Sequence, residues 1–152
     1  MSAHDPCSHL ANAHRLVDHF GDQMLFVEGI GWHVWGPPWR HDELAVRRLA
    51  QSLGKSIAQE AAGMAPWVAV AADKAEREQR QKAMDARFKW AGQSEDAPTI
   101  GYSLQMAQPL LAERAEALDS DPDLLGLPGG VLDLRTGRHR DHHQSDRISK
   151  VA

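Results

Sequence analysis

The sequence has one cysteine, Cys7, so no internal disulfide can staple the chain. A catalytic thiol at that position would need a base and an orienting partner, and the neighbouring residues supply neither. No apolar run approaches the roughly 20 residues that a bilayer-spanning helix needs. The first residues are polar and histidine-bearing, unlike a secretory signal. The expectation from these absences is a cytoplasmic protein with no membrane partner. An excess of positive charge is also missing. Lys and Arg total 17 against 21 Asp and Glu, a net charge of −4, so DNA contact requires a local basic patch. Internal repeats, low-complexity linkers and βαβ alternation are absent too, which excludes solenoids and argues against a doubly wound sheet.

What is present suits an ordinary folded domain. The 152 residues are 42% hydrophobic and 25% charged, enough to bury a core without staples. Residues 1–11 read as a flexible N-terminus and 12–152 as one domain. From Asn12 to Phe20 the apolar positions follow helical spacing, and Gly21 stands where a helix ends. Met24–Val27 and Trp32–Trp35 read as a hairpin, and Trp39 begins a third short strand. Asp42 can cap a helix whose stripe is Val46, Leu49, Leu53 and Ile57, reaching Ala62. A second long helix is expected from Pro66 to about Trp90. In it Asp73–Arg77, Glu76–Arg80 and Glu78–Lys82 are i,i+4 pairs. A third helix carries Ile100, Leu104 and Ala107, with Pro109 restarting or kinking it. The final strands come from LGLPGGVLDLRTGRHR, ending at Arg140. Gly129-Gly130 is the expected first reversal and Thr136-Gly137 the second, with Leu132 and Leu134 on one face. The expected fold is α+β: three to four central helices packed on a small antiparallel sheet built jointly from the N-terminal and C-terminal hairpins.

Five patterns invite a chemical reading. Leu53-Gly54-Lys55-Ser56 resembles the end of a phosphate-binding loop. The full pattern, however, needs a glycine where Leu49 stands, and the stretch lies within a helix. His4, His9, His14 and His19 recur every five residues, so they cannot share a helix face as metal ligands would. His139, Asp141, His142 and His143 could hold zinc or manganese. Neighbours on a strand point apart, which favours a structural or surface role. Asp119, Asp121 and Asp123 flank a proline and suit backbone-capping in a turn. The last segment is locally basic: Arg135, Arg138, Arg140, Arg147 and Lys150 stand against Asp141 and Asp146. These five are the candidate DNA-binding residues, although edge protection of a strand accounts for them as well.

Three stretches together resemble a known family. They are NAHRLVDHFGDQMLFVEGIGWHVWGPPWRHD (12–42), FKWAGQSEDAPTIGYSLQMA (88–107) and DSDPDLLGLPGGVLDLRTGRHRDHHQSDRISKVA (119–152). The chain is similar to the domain preceding the superfamily 3 helicase in phage and plasmid primase–helicases, related to the poxvirus type. The marks are Phe20-Gly21-Asp22, the set Trp32, Trp35 and Trp39, and Asp121-Pro122 leading to Val131-Leu132-Asp133-Leu134-Arg135-Thr136-Gly137. The family often has Asn-Gly where this chain has Gly129-Gly130. In the family a helicase ATPase follows this region, and the present sequence stops at Ala152 before one. The resemblance implies a non-catalytic accessory domain in DNA replication by a mobile element. It implies no catalytic residue, cofactor or metal in this chain. ATP and Mg would belong to the helicase domain of a parent with helicase and primase activity. Implied partners are those helicase and primase domains and DNA, with homo-oligomers formed through the helicase. Two alternatives stay open: a small metal-dependent nuclease or hydrolase using the terminal His/Asp cluster, and a stand-alone interaction protein that regulates a related helicase.

Overall fold

The computed structural model describes residues 5–152, in two compact units. One combines the chain up to Asp18 with Arg47–Ala107 and is helical; the other combines His19–Val46 with Gln108–Ala152 and holds the strands. No described helix is long and apolar enough to cross a membrane.

Helix α1 (His9–Phe20) begins three residues before its apolar stripe. Ser8 caps it, its hydroxyl accepting the Ala11 amide at 3.0 Å and donating to the Asp5 carbonyl at 2.8 Å. The flexible segment expected over 1–11 is thus helical from His9; its first four residues, His4 included, lie outside the described ones. The continuous helix expected to Ala62 is two, α2 (Glu43–Ala50) and α3 (Leu53–Gly63), broken at Gln51-Ser52. The stripe gave no sign of the break, because Val46, Leu53 and Ile57 are buried on both sides of it. Asp42 does cap α2, accepting from the Ala45 amide at 2.9 Å. The next expected helix also divides, into α4 (Ala65–Ala69) and α5 (Lys74–Gln93). Asp73 is not an ion-pair partner of Arg77 here. Its carboxylate accepts the Glu76 amide at 2.8 Å and caps α5, while Glu76 reaches back to the Ala72 amide at 2.8 Å. Glu76 also pairs with Arg80 at 2.6 Å. Helix α6 (Ala97–Ala107) buries Ile100, Leu104 and Ala107, and Pro109 lies in the 3₁₀ turn Gln108–Leu110 that follows.

A buried polar network runs through the helical unit. Asn12 is fully buried; its amide donates to the hydroxyls of Ser94 and Ser103, both at 3.1 Å. Its carbonyl oxygen accepts from Arg15 at 2.9 Å and from the Trp90 indole at 3.0 Å. Arg15 then grips Glu60 through two bonds of 2.7 and 3.0 Å, and Arg87 donates to the same carboxylate at 3.0 Å. Burial pushes the Glu60 carboxyl up, but Arg15 and then Arg87 outweigh it and hold it below its ordinary value.

The chain as a whole is α+β, as expected, but its strand unit contains two sheets rather than one. The first has the order β3-β2-β1-β4, from β1 (Met24–Val27), β2 (Gly31–Trp35), β3 (Trp39–His41) and β4 (Ala112–Glu113). Its first three strands are an antiparallel meander, and β4 joins β1 in parallel. The second sheet is the meander of β5 (Leu124–Leu127), β6 (Gly130–Asp133) and β7 (Arg138–Arg140). The edge that the C-terminal hairpin was expected to fill on the first sheet is taken by β4, a strand of two residues with no periodicity to betray it. Leu25, Val27 and Trp39 form a core against which Trp35, Ala115 and Leu118 pack.

Candidate nucleic-acid interface

The β5–β6 turn uses Pro128-Gly129 as its two central residues, because Leu127 pairs directly with Gly130. Gly130 is therefore already in the strand, and the reversal comes one residue earlier than expected. A Cβ there would collide with the Arg140 carbonyl and the His139 ring. At the second reversal Gly137 does take a positive φ of 72°, and its amide donates to the Asp133 carbonyl at 2.7 Å. Close strand approach accounts for Gly130 and chain reversal for Gly137.

The five basic candidates fall into two groups. Arg135 is held by three carboxylates, Asp121 at 3.2 Å, Asp133 at 3.5 Å and Asp123 at 3.7 Å. Their charges, Asp121 foremost, raise its pKa. The Arg135 amide donates to Asp133 at 2.9 Å, and that bond leads the causes holding the Asp133 carboxyl low. Arg140 makes a two-pronged bond to Asp146, both distances 2.8 Å. This bond lowers the Asp146 pKa and raises that of Arg140. Arg147 sits 3.4 Å from Glu113, donates to the Gln144 carbonyl at 2.8 Å and lies 5.5 Å above the Trp39 ring. Arg138 and Lys150 are exposed, and neither side chain has an ion pair or hydrogen bond among the described residues. Register places Arg138 opposite Asp133 and Arg140 opposite Val131, so the two arginines share the face on which Gly126 meets the Ile148–Lys150 backbone.

The segment that carries Arg147 and Lys150 is tied down at both ends. A 3₁₀ turn, Gln144–Asp146, opens with a capping box in which His143 accepts the Ser145 amide and Asp146 accepts the His143 amide. The Trp39 indole donates to the Gln144 carbonyl at 2.8 Å, and the Trp39 amide to the Ile148 carbonyl at 2.9 Å. Asp119 accepts the Ser149 amide at 2.9 Å, the Lys150 amide at 3.2 Å and a short bond from the Ser149 hydroxyl. The sequence suggested local backbone capping for the three aspartates. Asp121 does this, accepting from the Asp123 amide at 3.0 Å, but Asp119 works 30 residues away. Nothing in spacing could reveal that.

The remaining candidates resolve into packing. Gly54 lies within α3, where a Cβ would stand 2.5 Å from Glu95 Cγ and 2.9 Å from the Ala91 carbonyl oxygen. It lets α3 and α5 approach, and no strand precedes it as a phosphate loop demands. His142 Nε2 donates to the Leu127 carbonyl at 2.7 Å, and His143 Nδ1 is engaged by Ser145 at 2.6 Å. Among the described residues no three His, Cys, Asp or Glu side chains gather to hold a metal, so this geometry does not support the metal-hydrolase alternative. His9 meets the rings of Trp90 and Tyr102, and Cys7 points its thiol at the Ala86 carbonyl, 3.7 Å away.

A histidine pair escaped sequence reasoning altogether. His33, 4% exposed, stacks on His41 at 5.2 Å and donates from Nδ1 to the Gly31 carbonyl at 3.0 Å. Burial, ahead of the opposing Gly31 bond, lowers its pKa. The Glu43 carboxylate accepts the Trp32 amide at 2.9 Å and fills the place a Gly31 side chain would take. The only signal was their alternation across two paired strands, His33 opposite His41.

Compared with known proteins, residues 13–152 match the family model described as D5 N terminal like. No curated protein matches the chain.

Proposed function

The chain belongs to the D5 N-terminal-like family, the N-terminal domain of phage- and poxvirus-type primase–helicases in DNA replication, and from that membership we propose a non-catalytic accessory role in which it connects priming to unwinding. In this reading it assists assembly of a superfamily 3 helicase, or its engagement of DNA, in the cytoplasm of a phage or plasmid host. ATP and Mg would be handled by the helicase domain of the parent protein, which would also supply any ring-shaped homo-oligomer. The observation that carries the proposal is the extent of the match, which spans both compact units from residue 13 to 152.

The proposed DNA-facing residues are Arg135, Arg138, Arg140, Arg147 and Lys150, and their pairing ranks them. Arg138 and Lys150 have no carboxylate to surrender. Arg135 is exposed, and exposed ion pairs are weak, so a phosphate can displace its partners. Arg140 and Arg147 are bound into the turn that holds the tail. The test is a titration of labelled single-stranded DNA at several salt concentrations. Arg138→Ala with Lys150→Ala should weaken binding and reduce the slope of log K against log salt by roughly 0.7 per lost contact. An unchanged slope removes this surface. ATP hydrolysis or primer extension by the purified chain would overturn the non-catalytic reading.

A further inference from the structure

The strand unit has a cavity of about 560 Å³ that shares only Arg147 with the five basic residues. That volume lies within the roughly 300–1,000 Å³ typical of small-molecule sites. Its apolar lining comes from Met24, Leu25 and Trp39, which are 1%, 5% and 2% exposed. Its polar lining includes Asp22, His143 and Arg147.

The hydrogen-bonding capacity left on those three groups is specific. Asp22 has no bond or ion pair on its carboxylate among the described residues, so both oxygens can accept. His143 accepts the Ser145 amide at Nδ1. Its other nitrogen therefore carries the proton in the neutral ring and is a donor. Arg147 commits Nη1 to the Gln144 carbonyl and Nε to Glu113, which leaves Nη2 to donate. The site thus offers a two-oxygen acceptor and two donors beside an apolar lining. The Asp22 and Glu113 carboxylates offset the single guanidinium, so a phosphate inside would gain little. A neutral, flat heterocycle with paired donors next to an acceptor suits the lining better. Guanine presents that set on one edge: N1–H and the N2 amino group side by side, with O6 adjacent.

We propose that this cavity takes the nucleoside portion of one unstacked nucleotide, guanosine before other nucleosides, with its phosphate left outside. Asp22 accepts from N1–H and the N2 amino group, and Arg147 and His143 donate to O6 and N7. The turn Gln144–Asp146 holds the donors in place before the ligand arrives, through its capping box and the Arg140–Asp146 bond. The inference rests on the proposed engagement of DNA, which supplies unstacked bases; a free nucleotide offers the same chemistry.

The experiment compares three probes on the purified chain: labelled dT12, the same oligonucleotide with one central dG, and free dGMP. The dG oligonucleotide should bind about tenfold tighter than dT12, the discrimination of one good two-bond pair. Asp22→Asn should reduce that preference to within twofold while leaving the melting temperature unchanged, because Asp22 is exposed and makes no internal contact. If dGMP binds with loss in Asp22→Asn but no oligonucleotide binds, the cavity stands and DNA engagement falls. If both oligonucleotides bind equally and Asp22→Asn changes nothing, the cavity proposal is overturned while the surface reading survives. Binding of no probe overturns both.

Discussion

The helical unit and the strand unit use charge in opposite ways. In the first, Asn12, Arg15, Ser94 and Ser103 are buried and joined in one hydrogen-bonded network. In the second, Arg135, Arg138, Arg140 and Lys150 are exposed, and the carboxylates that meet Arg135 and Arg147 include Asp121 and Glu113, far upstream in sequence. The lesson concerns availability. A buried network cannot lend its groups to a ligand without leaving others unpaired, whereas an exposed pair can exchange partners at little cost.

The comparison can be broken most decisively at Asn12. Asn12→Ala leaves the Ser94 and Ser103 hydroxyls, the Trp90 indole and one Arg15 bond without their partner, and should destabilise the fold by about 3 kcal/mol in a urea titration. Next is Gly54→Ala. A methyl group pressed onto the Ala91 carbonyl should lower stability by about 2 kcal/mol, with no change in nucleotide binding. Had the glycine served a phosphate loop, the two effects would be reversed. Arg140→Ala removes both bonds to Asp146, which is only 11% exposed, and should cost about 1–2 kcal/mol while loosening the tail in hydrogen exchange. Arg135→Ala, on the exposed side of the contrast, should leave the urea midpoint unchanged despite its three carboxylate neighbours.

Acid sharpens the contrast through two groups of opposite kind. The folded pKa of His33 lies below its ordinary 6.5. Its contribution is complete above 6.5 and declines as pH falls toward the folded value, because the unfolded chain then binds a proton that the buried ring resists. The folded Glu60 carboxyl lies below its ordinary 4.5, so its ion pairs with Arg15 and Arg87 persist until the pH falls further. Stability measured from pH 8 to 3 should therefore fall first with a histidine signature in the strand unit. His33→Phe should flatten that first step, and Glu60→Gln the later one.

Much of the architecture was legible because it is local. The stripes of Val46, Leu53 and Ile57 and of Ile100 and Leu104 are readable from spacing, as are the aromatic strands around Trp32 and Trp39. The cap at Asp42 and the positive φ at Gly137 also depend on neighbours alone. What stayed hidden depends on partners distant in sequence. The two-residue β4 joins β1 from more than eighty positions away, and its presence separates the sheets that pattern reading had merged. The basic tail was judged against Asp141 and Asp146, yet the carboxylates that matter for Arg135 and Arg147 are Asp121, Asp123, Asp133 and Glu113, all upstream. The Asn-Arg-Glu network has no spacing rule at all, since its members come from four helices and a loop.

The bond from the Trp39 indole to Gln144 joins residues 105 positions apart. It belongs to a unit whose two segments flank the whole stretch Arg47–Ala107. Closing so long an intervening stretch is entropically unfavourable and slow, and folding rates fall as contacts become less local. The helical contacts between α3 and α5 lie within one continuous stretch of chain and can form early. On a ribosome the tryptophan-bearing strands must therefore wait, exposed, until the far segment emerges. That interval is when the chain is most open to aggregation.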